Sequence, residues 1–268
     1  MLGGGHPTAL SPQSMERWAG KTAVVTGASS GIGAATALAL ADRGLRVVGL
    51  ARRLEAMQKL QSRVTGSGNI TARGCDLSKP EELKSSFEWI EETFGGVDVM
   101  VNNAGLFIHG NITDVGSHPL SEDELVSVLD VNVKGLMLCT RRAVASMRRR
   151  GVDGHVVNIN SIAGHYVPLS PFFNVYSSTK HAVTAFTQSL CTELAEYRSG
   201  IRVTSISPGL TRTELLLDDK VPGVKEAVEQ LPALAAEDVA DAVVYVISTP
   251  ANVNITELTI QPVGEKKF

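Results

Sequence analysis

The chain has 268 residues, a formal net charge of −3, 43% hydrophobic and 20% charged residues, and 25 glycines. That length and apolar fraction suit one large α/β domain, and the mild acidity gives no electrostatic case for nucleic acid or an anionic membrane. Three scattered cysteines (Cys75, Cys139 and Cys191) form neither a disulfide framework nor a metal site, and no apolar run reaches the ~18 residues of a membrane span. A cytoplasmic location is expected.

Residues 1–14 contain Gly and Pro without a signal-peptide pattern and are expected to be a disordered extension before a domain over 15–268. Thr22 to Thr26 is a β-branched run that predicts a buried strand. Gly27, Ser29, Ser30, Gly31, Ile32 and Gly33 make up a glycine-rich turn, and an Ala/Leu-rich helix runs from it to about Asp42. Strand, turn and helix in that order suit a pyrophosphate, because glycine lets the backbone approach closely and the helix N-terminus favours an anion. Leu45 to Leu50 predicts a second strand, which runs into Arg52 and Arg53. An acidic residue there would suit the ribose hydroxyls of NAD, whereas guanidinium groups suit the 2′-phosphate of NADP.

Strands are predicted over 69–75, 97–101, 155–160, 201–206 and 257–260, and helices over 79–94, 121–148 and 237–247. Ser121 with Glu124 predicts a capping box at the start of the second of these helices. Arg148, Arg149 and Arg150 read as its solvated end. The 211–232 stretch lacks periodicity and is expected to be a mobile cover. This β-α alternation predicts a Rossmann-like, doubly wound parallel sheet in a single domain. Within a further helix from Tyr176, the phenol and the Lys180 ammonium share one face, and a cation close to a phenol lowers its pKa.

The ordered set Thr26-Gly-x-x-x-Gly-Ile-Gly33, Asn102-Asn-Ala-Gly105, Asn132, Ser161, Tyr176-x-x-x-Lys180 and Pro208-Gly209 resembles the short-chain dehydrogenases/reductases. The segments around Met15–Trp18, Gly154–Ser161 and Thr249–Gly264 are similar to the SDR family member 11 group and to insect NADP-dependent farnesol dehydrogenases. One departure is Ser29-Ser30, where some NADP-using relatives carry a basic residue. The resemblance implies Tyr176 as acid or base, Lys180 as its activator, Ser161 as hydrogen-bond donor to the substrate oxygen, and Asn132 as holder of a water beside Lys180. It also implies that Asp76 and Leu77 meet adenine and that Asn103, Ala104 and Gly105 meet the ribose. Pro208, Gly209, Thr211 and Thr213 would bracket the nicotinamide. NADP is the implied cofactor. The apolar residues Tyr166, Val167, Pro168, Leu169, Phe172 and Phe173 point to a lipophilic substrate, an isoprenoid alcohol first and a ketosteroid or other carbonyl second. A homodimer or homotetramer is expected by the same analogy.

Overall fold

The computed structural model describes residues 13–168, 173–216 and 230–265. Its strands are β1 (Thr22–Thr26), β2 (Arg46–Ala51), β3 (Asn69–Gly74), β4 (Val99–Asn102), β5 (His155–Ile159), β6 (Arg202–Pro208) and β7 (Glu257–Ile260). They form one sheet in the order β3-β2-β1-β4-β5-β6-β7, parallel throughout. Val24 pairs with Val48 on one side and with Met100 on the other. From β1 the chain winds outward to β3, then returns to β4 and winds the other way. That reversal opens a crevice at the carboxyl ends of β1 and β4, where ligands bind in sheets of this type.

Helices α1 (Gln13–Glu16), α2 (Gly31–Asp42), α3 (Leu54–Gln61), α4 (Pro80–Phe94), α5 (Glu122–Leu129), α6 (Leu136–Arg150), α7 (Asn174–Glu196) and α8 (Ala236–Ser248) complete the described elements. Alternate strand residues feed two cores, as the two-residue period requires. Ala23, Val25, Val47, Val99, Val101 and Val157 join Leu40 of α2 with Val239 and Val243 of α8 on one face. Val24, Val48, Met100 and Val156 join Phe87 of α4, Met147 of α6 and Leu190 of α7 on the other. Among the described residues no helix is long and apolar enough to cross a membrane.

Two expectations change. The helix read as continuous over 121–148 is interrupted: α5 passes into a π-helical segment at Asp130–Gly135 before α6 resumes. The capping box at Ser121 is present, with Glu124 N donating to Ser121 Oγ at 3.2 Å and Ser121 N to Glu124 Oε2 at 3.0 Å. The basic end of α6 is also not simply solvated. Arg149 pairs with Glu91 at 2.9 Å, and Arg150 donates to the Val97 carbonyl and, at 3.0 Å, to the buried carboxylate of Asp98. Residues 1–12 of the expected disordered extension, Leu169 and Phe172 of the apolar flank, and 217–229 of the expected cover lie outside the described residues.

Candidate active site

The first wall of the crevice is the turn after β1. Gly27 and Gly31 have φ of 67° and 52°, a left-handed region that favours glycine. A side chain at Gly33 would collide with the Gly27 carbonyl and the Asn103 amide, so this glycine seats α2 against the strand ends. Thr26 ties the two walls together: its hydroxyl accepts from Asn103 N and Ala104 N, both at 3.0 Å, and its carbonyl accepts from Asn103 Nδ2. Ser30, the residue before α2, adds no side-chain cap to the helix. The first-turn N–H groups therefore remain available to an anion, so the turn fits a pyrophosphate.

The cavity on this wall measures about 450 Å³. It is lined by Gly27, Ser29, Ser30, Gly31 and Ile32 from the turn, Arg52 and Arg53 after β2, Asp76 and Leu77 after β3, Asn103 to Gly105 after β4, and Thr213. Tyr176 and Lys180 close its far end. Burial pushes the Asp76 carboxyl up, but two hydrogen bonds from Ser78 and the charge of Arg52 bring it below its ordinary value. Arg52 thus faces Asp76, while Arg53 pairs with Glu214 at 2.9 Å.

At the far end, α7 presents Tyr176 and Lys180 one turn apart. The ammonium is buried and donates to the Ile159 carbonyl at 2.9 Å, lying 5.4 Å from the centre of the Tyr176 ring. Burial lowers the Lys180 pKa to about 8. Burial also pushes the Tyr176 phenol up to about 12, and a hydrogen bond with Ser161 works against that rise. The expected lowering of the phenol by Lys180 is therefore not found: desolvation dominates, and the ammonium is directed at a carbonyl rather than the phenol oxygen. Ser161 is held in turn, its Oγ accepting from Ala163 N at 3.1 Å.

Asn132 lies in the π-helical segment and lines no part of the cavity. Its Oδ1 accepts from Leu106 N at 2.7 Å, and its Nδ2 donates to the Leu106 carbonyl at 2.8 Å and to Thr179 Oγ1 at 3.1 Å. The extra residue of a π-turn gives this amide its reach toward both the loop after β4 and α7.

Pro208, Gly209 and Thr211 also lie off the cavity. Pro208 pairs with Ile260 in the sheet, Gly209 N donates to the Ile260 carbonyl, and the Thr211 hydroxyl turns back to the Gly209 carbonyl at 3.0 Å. Tyr166 stands outside it too, its phenol pushed up by burial and by the Glu265 carboxylate. Sequence reading missed Phe107, whose ring meets those of Tyr176 and Phe173 at 4.9 Å each and His109 at 4.4 Å. It also missed Asn160, which lines the cavity and donates to Thr184 Oγ1 at 2.8 Å. Phe107 stands two residues beyond Gly105 and Asn160 immediately before Ser161, so proximity to a motif was the one signal available.

A phosphate-accepting turn and a Ser–Tyr–Lys cluster facing one crevice of a doubly wound sheet define a nucleotide-dependent oxidoreductase. The chain belongs to the short chain dehydrogenase family, whose model matches residues 21–220. It is 48% identical to a farnesol dehydrogenase of Aedes aegypti, over 94% of this chain and 100% of that one. It is 44% identical to dehydrogenase/reductase SDR family member 11 of Homo sapiens, over 92% and 96%. Among solved structures it matches the closed form of a serine dehydrogenase complexed with NADP+, with a TM-score of 0.80, 32% identity and coverage of 91% and 96%.

Proposed function

We propose that the chain is an NADP-dependent oxidoreductase acting between a lipophilic alcohol and its carbonyl, with farnesol or a related isoprenoid alcohol as the leading substrate. The observation that carries this reading is the cavity itself, which runs from Arg52, Arg53 and the glycine-rich turn to Tyr176 and Lys180. The turn and the N-terminus of α2 would hold the pyrophosphate and the two arginines the 2′-phosphate. Asp76 and Leu77 would meet the adenine, Asn103 to Gly105 the ribose, and Thr213 the nicotinamide side. When bound, the nicotinamide gives or takes the hydride.

Tyr176 is protonated at neutral pH, which suits it to give a proton to a carbonyl oxygen and to take one back in the alcohol direction. Ser161 donates a hydrogen bond to the same oxygen as charge builds there. Lys180, whose ammonium donates to the Ile159 carbonyl at the end of the cavity, would hold the nicotinamide ribose. Asn132 acts at one remove by holding Leu106 and Thr179. The identity with the mosquito farnesol dehydrogenase and the packing of the Phe107 and Phe173 rings around Tyr176 support an isoprenoid chain. A ketosteroid is the second substrate class. The exposed Val126 and Leu129 on α5 support self-association as a homodimer or homotetramer, which sedimentation would test.

The experiment is a panel of farnesol, short alcohols and ketosteroids with NADP(H) and NAD(H), run on wild type and Tyr176→Phe. Tyr176→Phe should keep its melting temperature and cofactor affinity while turnover falls by about 10²–10⁴-fold. Near-normal turnover in that variant would sink the mechanism. Replacing Arg52 and Arg53 by Ala should weaken NADP by about ten- to a hundredfold and spare NAD.

A further inference from the structure

Arg53 and Glu214 meet across the mouth of the cavity from sequence positions 161 residues apart. Arg53 Nη2 donates to Glu214 Oε2 at 2.9 Å and to Ser30 Oγ at 2.7 Å, while its Nε donates to Ser29 Oγ at 3.3 Å. The guanidinium is thus fastened to the glycine-rich turn and to a carboxylate at once. Glu214 opens the short 3-10 turn Glu214–Leu216 that follows β6. Its neighbour Thr213 lies on the same glycine-rich turn, since a Cβ at Gly31 would stand 3.1 Å from Thr213 Cγ2. Behind Thr213 the backbone is pinned, with Arg212 N donating to the Leu234 carbonyl at 2.9 Å and Leu234 N to the Leu210 carbonyl at 2.8 Å. The carboxylate is therefore carried to the arginine by the fold and not only by a chance rotamer.

A 2′-phosphate and a carboxylate are both anions that seek the N–H edges of a guanidinium, and the phosphate brings up to two negative charges. They compete for one group and repel each other across it. We propose that Glu214 is a cofactor-selectivity residue that competes with the 2′-phosphate of NADP for Arg53 and so lowers affinity for the phosphorylated cofactor. The inference rests on reading Arg52 and Arg53 as the 2′-phosphate site. NAD has no 2′-phosphate and leaves the Arg53–Glu214 pair undisturbed. Selectivity is a difference of two affinities. Arg53 sets which cofactor is favoured, and Glu214 sets by how much. Both side chains are more than half exposed, so the competition is screened by water and salt and its scale is modest.

The test titrates the full chain with NADPH and with NADH, following cofactor fluorescence at low ionic strength, for wild type, Glu214→Gln, Arg53→Ala and the double variant. Glu214→Gln should tighten NADPH by about three- to tenfold and leave NADH within about twofold, the gain shrinking as salt is added. In the Arg53→Ala background the Glu214→Gln gain should largely disappear, because the contested group is gone. If Arg53→Ala weakens NADPH but Glu214→Gln leaves it unchanged or weakens it, the competition is refuted and the phosphate site stands. Equal tightening of NADPH and NADH would overturn it as well, by making Glu214 a general repulsive charge. An unaltered NADPH/NADH ratio in Arg53→Ala would remove the phosphate site and the inference together.

Discussion

Lys180 carries its charge where little water reaches it. Burial lowers its pKa from 10.5 to about 8, which corresponds to on the order of 3 kcal/mol of strain on the charged form below that pH. Between about pH 8 and 10.5 the unfolded chain holds the proton and the folded chain releases it, so stability rises with pH across that window. Lys180→Met has no such group. Urea unfolding of both proteins should therefore show wild type gaining on the variant by on the order of 2 kcal/mol from about pH 7.5 to 10. A constant difference would mean that the ammonium is better solvated than its surroundings indicate. The variant should also lose turnover, which separates what the lysine does for chemistry from what it does to the fold. The Tyr176–Lys180 pair was legible because helical spacing is a local property. Phe107 and Asn160 were not, because their neighbours come from distant parts of the chain and no spacing encodes them.

Two adjacent arginines at the end of α6 do different jobs. Arg149 meets Glu91 on the surface, with more than half of its side chain exposed. Arg150 reaches inward to Asp98, which is 2% exposed and also accepts from Thr22 N at 2.8 Å. It thereby joins the helix end to the starts of β1 and β4. Arg149→Ala should change stability by at most about 0.5 kcal/mol, whereas Arg150→Ala leaves a buried carboxylate without its cation and should cost about 2–4 kcal/mol. Denaturant titration of the two variants would settle it, and equal values would show that Asp98 does not need the guanidinium. The sequence showed a basic helix end and no difference between the two residues, because which one faces the sheet depends on the helix's rotation. The π-helical segment was illegible for a related reason. Its apolar residues keep roughly helical spacing, and one extra residue in the turn leaves little mark on the pattern. Asn132 was recognised by its place in a motif, and its partners Leu106 and Thr179 became visible only with the fold.

Over the whole molecule, the cavity draws on at least seven separate stretches of chain. The glycine-rich turn, the ends of β2, β3, β4 and β5, the start of α7 and the segment after β6 each supply part of the lining. The doubly wound parallel sheet was legible, because a strict alternation of strand and helix leaves few parallel arrangements. Which side chains complete the walls depended on the crossover at β1 and β4, which joins residues far apart in sequence. A ligand that touches all of these stretches binds only the folded chain, so its binding energy adds to global stability by mass action. At about a hundred times its dissociation constant NADP should add about 2.7 kcal/mol. For a domain of this size, that corresponds to a rise of about 5–10 °C in melting temperature. NAD at the same concentration should give a smaller rise, since it lacks the 2′-phosphate that Arg52 and Arg53 are proposed to hold. Arg52→Ala with Arg53→Ala should bring the NADP shift down to the NAD value while leaving the melting temperature without cofactor nearly unchanged. Scanning calorimetry of both proteins with each cofactor makes the comparison. Equal shifts for NADP and NAD in wild type would place the 2′-phosphate in solvent and remove the basis for NADP preference.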